Sequence, residues 1–219
     1  MKKRFRIKQI RPGIFLLNFK KQYDLAMHFL RYQEYYESPS RRFRHQSFTL
    51  VDFMDWYVKQ SGKSTFTYPD DWEGFNLPSH VIPDYSYFVR IPDENYYDIA
   101  MYEAWIECDR KMKGNDFYLI GCVGDDENIT LKHEIAHGYF YLHKDYRKQM
   151  TKLVKELPVR VRAKINKHLK DVGYCKAVYV DETQAYLSEG RAKEWINLLD
   201  VGEKFYRAFE AFDWEQRGK

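Results

Sequence analysis

Two histidines flank a glutamate in the sequence His-Glu-Ile-Ala-His at residues 133 to 137. On an α-helix, residues four positions apart differ by only about 40° in direction, so His133 and His137 can reach one metal ion. Glu134 lies about 100° around the same helix. There it can accept a proton from a metal-bound water, but it is poorly placed to bind the metal. The pentad therefore predicts a zinc ion with a general base beside it.

The residues around the pentad favour an amphipathic helix that runs through Leu142. Leu131, Ile135 and Leu142 group on the side opposite His133. An apolar face can then pack in a core while the polar face lines a cleft. This context supports a site at the two histidines.

A catalytic zinc site needs a third protein ligand, and two residues are the main candidates. Glu182 lies in the sequence Asp-Glu-Thr-Gln-Ala-Tyr at residues 181 to 186, on a predicted helix. His143 has the spacing of the HExxHxxGxxH zinc signature, but Phe140 replaces the glycine that turns the third histidine towards the metal. On a continuous helix His143 would also face away from the metal. We therefore favour Glu182 and keep His143 and Glu189 as alternatives.

Two further residues of the same segment can serve this site. Tyr186 lies one helical turn beyond Glu182 and is our candidate for the donor that stabilises the oxyanion of a tetrahedral intermediate. A tyrosine packed in the core is the alternative. Asp181 can orient a ligating histidine, or it can cap the N-terminus of its own helix.

The elements that must position these residues follow from hydrophobic periodicity and turn formers. In chain order, the first part is predicted to contain a hairpin over residues 4–18, helices near 20–37 and 48–61, an ordered irregular region over 64–98, a helix over 97–112 and a strand over 117–123. After the pentad helix come two basic helices separated by Pro158, a helix from about 181 to 199 and a last helix from 203 to about 214.

This pattern predicts an α+β fold. We expect a small mixed sheet packed on the pentad helix and on a second, glutamate-bearing helix, with a mostly helical C-terminal half. An aromatic-rich elaboration is expected over residues 1–96, packed on a metal-binding core over 97–219.

Composition limits the class of protein. The chain has 219 residues, 44% of them hydrophobic, which is enough for one good core. The net charge of +4 is too small to indicate nucleic-acid binding by itself, although ten basic and only two acidic residues stand between Lys144 and Lys170. A solvated helix face explains this run, with an anionic partner as the alternative. We do not expect a nucleic-acid partner.

The cysteines and the apolar runs suggest a compartment. Cys108, Cys122 and Cys175 are widely spaced, which predicts neither a disulfide framework nor a cysteine-based zinc site and fits a reducing environment. The sequence shows no signal-peptide pattern and no run of about 20 apolar residues. We expect a cytoplasmic protein without a membrane partner.

The segments 133–137 and 181–186 resemble the gluzincin branch of zinc metallopeptidases, in which a second helix after HExxH supplies a glutamate ligand. The chain is also similar to small, single-domain minigluzincin-like members and to the ImmA/IrrE-type peptidases that cleave repressors inside cells. The resemblance covers roughly residues 97–200.

The resemblance implies a zincin-like fold and one zinc ion per chain, bound by His133, His137 and Glu182, with Glu134 as the base. It also implies that an extended substrate lies along the strand at residues 117–123. The expected function is a zinc-dependent metallopeptidase that acts on a peptide or protein substrate. The alternatives are a zinc hydrolase with a non-peptide substrate, and a zincin-fold binding or regulatory protein without turnover.

Overall fold

The computed structural model describes residues 4–88, 91–124, 129–190 and 199–218. Over these residues the chain is mixed α+β, with mostly helices and a small four-stranded mixed sheet, which confirms the predicted class. The chain forms two compact units, Met1–Asp125 and Asp126–Lys219.

The sheet of the first unit has the strand order β1-β2-β4-β3. Its strands are β1 (Phe5–Arg11), β2 (Ile14–Phe19), β3 (Phe75–Pro78) and β4 (Tyr118–Val123). The predicted hairpin is confirmed, because β1 and β2 are antiparallel neighbours joined through Gly13, whose φ of 75° a glycine adopts at little cost. Strand β3 lies within residues 64–98, for which the sequence predicts irregular structure.

The helices of the first unit are α1 (Gln22–Glu37), α2 (Leu50–Ser61), the short α3 (Tyr68–Asp71) and α4 (Val81–Pro83), and α5 (Tyr96–Met112). Helix α1 packs closely on the sheet. A Cβ atom at Gly121 on β4 would lie 2.5 Å from Leu25 Cδ1 and 2.4 Å from Phe29 Cε2. Only glycine allows this approach of α1 to the sheet.

Strand β4 pairs on both of its sides. It runs parallel to β2 over its whole length and antiparallel to β3 over residues 118–121. The expectation that an extended substrate lies along this strand is therefore wrong for those residues, because no backbone edge is free there. The same pairing places β4 in the first unit, although the sequence analysis placed residues 97–219 in one core.

The second unit consists of helices in its described part. They are α6 (Ile129–Leu142), α7 (Lys144–Glu156), α8 (Val159–Asp171), α9 (Tyr179–Ser188) and α10 (Leu199–Arg217). Pro158 separates α7 from α8, as predicted. Helix α9 contacts each of the other four and lies at the centre of the unit.

The ends of α9 and α10 differ from the sequence analysis. Helix α9 ends at Ser188 because the chain turns at Gly190, which has a φ of 90°. The predicted continuation over residues 191–198 lies outside the described residues. The last helix already includes Leu199, four residues before the predicted start at Glu203, and continues to Arg217.

The surface of the second unit carries the basic run. Eight of its ten basic side chains are exposed, and Arg147 and Arg162 are half-buried, so the run is a solvated surface of α7 and α8. Among the described helices, none combines the length and apolar character that a membrane crossing requires. The three cysteines are free thiols.

Glu34 on α1 is a buried carboxyl group and is 8% exposed. Burial raises the pKa of Glu34 to about 7, although hydrogen bonds from Ser38 and Tyr68 partly oppose this shift. The pKa of this group is thus higher in the folded than in the unfolded chain. Its contribution to stability is complete below the unfolded pKa of 4.5 and is lost as the pH rises through about 7.

We expect Glu34→Gln to remove this loss. Between pH 4.5 and 8 the wild-type chain should lose on the order of 3 kcal/mol of unfolding free energy relative to the variant. Urea unfolding of both proteins at the two pH values measures the difference. Glu103→Gln changes an exposed glutamate of the same unit and serves as the control. Equal pH dependence of Glu34→Gln and wild type would contradict a buried, neutral Glu34.

Candidate metal centre

The candidate site lies where α6 packs against α9. His133 and His137 lie one turn apart on α6, and Glu182 lies in the first turn of α9. All three side chains are buried, and one ligand atom of each lies within 4.8 Å of the others. The structure thus brings together the three residues that the sequence analysis selected as ligands.

The spacing of the donor atoms can be compared with that of a zinc site. His133 Nε2 and His137 Nε2 are 3.1 Å apart. Glu182 Oε2 lies 3.6 Å from His133 Nε2, and Glu182 Oε1 lies 3.6 Å from His137 Nε2. In tetrahedral zinc coordination with bonds of about 2.0 to 2.1 Å, neighbouring donors are about 3.3 Å apart. The three side chains therefore have nearly the spacing that zinc requires.

Two carboxylates orient the imidazole rings. His133 Nδ1 lies 3.0 Å from Glu189 Oε2, and His137 Nδ1 lies 2.9 Å from Asp181 Oδ1. A carboxylate oxygen only accepts hydrogen bonds, so each Nδ1 carries the proton and donates it. In the neutral rings each Nε2 then presents a lone pair, and the two lone pairs face each other. A proton or a metal cation must lie between them.

Glu182 also indicates that a cation belongs among these side chains. Its Oε2 atom is buried and has no hydrogen-bond partner among the residues that the structure describes. A buried carboxylate oxygen without a hydrogen bond is costly, and a cation removes the cost. Two imidazole nitrogens and one carboxylate oxygen form a ligand set that zinc accepts, so the residues present fit the ion.

The surrounding charges favour a cation in this site. Burial lowers the pKa of His133, but interactions with the carboxylates of Glu182 and Glu189 outweigh it and raise that pKa to about 9. Burial likewise lowers the pKa of His137, while Asp181 and Glu182 raise it well above its usual range. The carboxylates therefore favour positive charge at this pair of histidines, whether a proton or a metal ion carries it.

Asp181 and Glu189, whose roles the sequence leaves open, have distinct contacts in the structure. Asp181 orients His137, whereas the N-cap position of α9 is Val178 and has no side-chain cap, so the capping role is wrong. Glu189, an alternative third ligand, contacts the Nδ1 atom of His133 and not the Nε2 side. Its position seven residues after Glu182, on the same helix face, was the signal for its proximity.

His143 lies apart from the ligand cluster. It occupies the N-cap position of α7, where its φ of −114° and ψ of 107° end the pentad helix. Its ring packs against Tyr139 and Phe212, with centroid distances of 5.7 and 5.1 Å. The chain thus leaves the helix at His143 without turning the imidazole towards the other two histidines, and the cluster contains Glu182 instead.

Glu134 and Tyr186 both lie close to the two histidines. Glu134 is buried, and its charge contributes to raising the pKa of His133 and of His137. The Tyr186 ring lies 4.4 Å from the His133 ring, and its hydroxyl lies 3.3 Å from the hydroxyl of Tyr174. Burial and then the charge of Glu182 raise the pKa of Tyr186, so its phenol keeps its proton and can donate. Tyr174 had no signal in the sequence.

Comparison of the chain with protein-family models, with curated proteins and with solved structures gave no match. The functional assignment therefore depends on the chemistry of these side chains.

We expect Glu182→Gln to weaken zinc binding by more than about 100-fold, because a neutral amide replaces a charged oxygen ligand. His143→Ala should change zinc affinity by less than about 3-fold, since its ring lies in an aromatic cluster outside the ligand set. Competition with a chelating dye measures both affinities. Full zinc affinity in Glu182→Gln together with its loss in His143→Ala would instead assign the third ligand to His143.

Proposed function

We propose that this chain is a zinc-dependent metallopeptidase with a zincin-like fold. The observation that carries the proposal is the orientation of the two imidazoles. Both Nδ1 atoms contact carboxylates, so both Nε2 atoms and the Glu182 carboxylate converge at the spacing of zinc ligands. An ordinary pair of helix histidines needs no such arrangement.

The ligand set favours zinc over other divalent ions. Magnesium and calcium prefer sets of six or more oxygen ligands, whereas zinc binds imidazole nitrogen together with a carboxylate. Three protein ligands are also the number found in catalytic zinc sites, which keep one position for water or substrate. The residues present therefore favour a hydrolytic site over a structural one.

Helix α6 supplies the general base of the proposed reaction, and helix α9 supplies the hydrogen-bond donor. When bound, zinc supplies a Lewis acid that acidifies water and polarises a carbonyl group. Glu134 stands beside the ligand set without belonging to it, and it accepts the proton of the attacking water and passes it to the leaving amine. Tyr186 donates a hydrogen bond from its hydroxyl to the carbonyl oxygen as negative charge develops there.

Hydrolysis of a peptide bond is favoured by the combination of a base, two histidines and a glutamate ligand. The segments 133–137 and 181–186 share this combination with the gluzincins. The sheet differs from what that resemblance implies, because β4 is paired on both sides over residues 118–121. A peptide substrate therefore cannot pair with the backbone of β4 over residues 118–121.

We expect Glu134→Gln to retain zinc at about one ion per chain while hydrolysis of a denatured protein substrate falls by at least about 100-fold. The reason is that Glu134 acts on the proton and not on the metal. Metal analysis and a cleavage assay, each with and without chelator, measure the two effects. Glu156→Gln, which changes an exposed glutamate on α7, is the control.

Two results would contradict parts of this proposal. Loss of zinc from Glu134→Gln would make Glu134 a ligand. Stoichiometric zinc in the wild-type protein, without cleavage of any denatured protein or peptide in a broad panel, would favour a binding or regulatory protein that has lost turnover.

A further inference from the structure

The two carboxylates that orient the histidines differ in how well they are enclosed. The side chain of Glu189, which contacts His133, is 5% exposed. The side chain of Asp181, which contacts His137, is 28% exposed. A carboxylate that reaches solvent can rotate and exchange its histidine partner for water. Asp181 therefore needs a second contact to remain on His137.

Gln184 supplies that contact. It lies one turn after Asp181 on α9, is fully buried, and donates from Nε2 to Asp181 Oδ1 at 3.0 Å. The same oxygen is the one that contacts His137 Nδ1. At its other end, Gln184 Oε1 accepts a hydrogen bond from the Tyr146 hydroxyl at 3.1 Å. The amide thus connects α7 to the carboxylate that orients His137.

The amide can adopt only one orientation between these partners. Asp181 Oδ1 accepts hydrogen bonds and cannot donate, so it requires the NH2 group of Gln184. Rotation of the amide by 180° would place Oε1 of Gln184 against a carboxylate oxygen. Both polar ends of the buried amide are therefore satisfied in the observed orientation, whereas the reverse one places two acceptors, Gln184 Oε1 and Asp181 Oδ1, against each other.

Tyr146 is a rigid anchor for this amide. Its side chain is fully buried on α7. Its ring packs against Tyr139 of α6 and Phe212 of α10, with centroid distances of 5.7 and 4.9 Å. The position of the hydroxyl is consequently determined by the packing of three helices, and it does not depend on the metal ligands.

We propose that Gln184 is a positioning residue of the metal site, which acts through Asp181 to hold the His137 imidazole with Nε2 directed at the metal. The inference rests on the proposed zinc site. Helix α9 then has two roles, because it supplies the ligand Glu182 and also the Gln184 amide that stabilises the orientation of His137.

The test compares zinc affinity in a double-mutant cycle of Gln184→Met and Asp181→Ala. Gln184→Met keeps the length of the side chain and removes the donor, and we expect zinc binding to weaken by about 3- to 10-fold, less than the 10- to 100-fold typical of direct partners of a ligand. In the Asp181→Ala background the same substitution should change zinc affinity by less than about 2-fold, because Gln184 then has no partner through which to act.

Unfolding of the metal-free proteins in chelator separates positioning from a general loss of structure. Thr183→Val is the matched control, because Thr183 is buried on the same helix and its hydroxyl donates only to the backbone oxygen of Tyr179. Its zinc affinity should equal that of the wild type. Tyr146→Phe keeps the packed ring and removes the hydroxyl, so it should weaken zinc binding by about 2- to 3-fold even if Gln184→Met folds poorly.

Each outcome decides the inference. A loss of affinity confined to the background that contains Asp181 supports it. Equal losses in both backgrounds, or no loss in either, overturn the positioning role while leaving the zinc site intact. Absence of zinc binding by the wild-type protein overturns the inference together with the proposed function.

Discussion

Four acidic side chains enclose two imidazoles in a region from which most water is excluded. They are Glu134, Asp181, Glu182 and Glu189, and three of the four are buried. Burying a carboxylate without a nearby positive charge costs several kcal/mol, so the contact between α6 and α9 requires cations. A proton between the two Nε2 atoms supplies positive charge in the metal-free chain, and a zinc ion would supply it when bound. Stability of the second unit and metal affinity therefore have the same electrostatic origin.

Helix α9 carries two of the carboxylates that create this need for positive charge. Within ten residues it carries a ligand, the carboxylate that orients His137 and a buried amide, and it contacts every other described helix of its unit. Ala185 is fully buried, and its small side chain permits a close approach of a neighbouring helix. A substitution on α9 therefore changes packing and site geometry together, and only near-isosteric changes separate the two.

Local patterns in the sequence predicted the parts of the site that depend on helix geometry. The convergence of His133 and His137 follows from a period of 3.6 residues. Glu182 was favoured over His143 because Phe140 stands where the histidine signature has glycine. Features that depend on contacts between distant parts of the chain could not be predicted from such local patterns. Strand β3 is only four residues long and pairs with residues of β4 that lie 40 to 46 positions further along the chain, so no periodic pattern reveals it. The contact of Tyr174 with Tyr186 likewise depends on how α8 and α9 pack.

The contributions of a direct metal bond and of net negative charge to zinc affinity can be distinguished, because glutamate can be replaced by glutamine at two positions of this site. Glu134 and Glu182 are both buried near the histidines, and replacing either by glutamine removes one negative charge. If zinc were held mainly by the surplus of negative charge, the two substitutions would weaken its binding to a similar extent. If it is held by a direct bond, only the change at Glu182 removes that bond. The difference between the two affinities therefore measures coordination with the change in charge held constant.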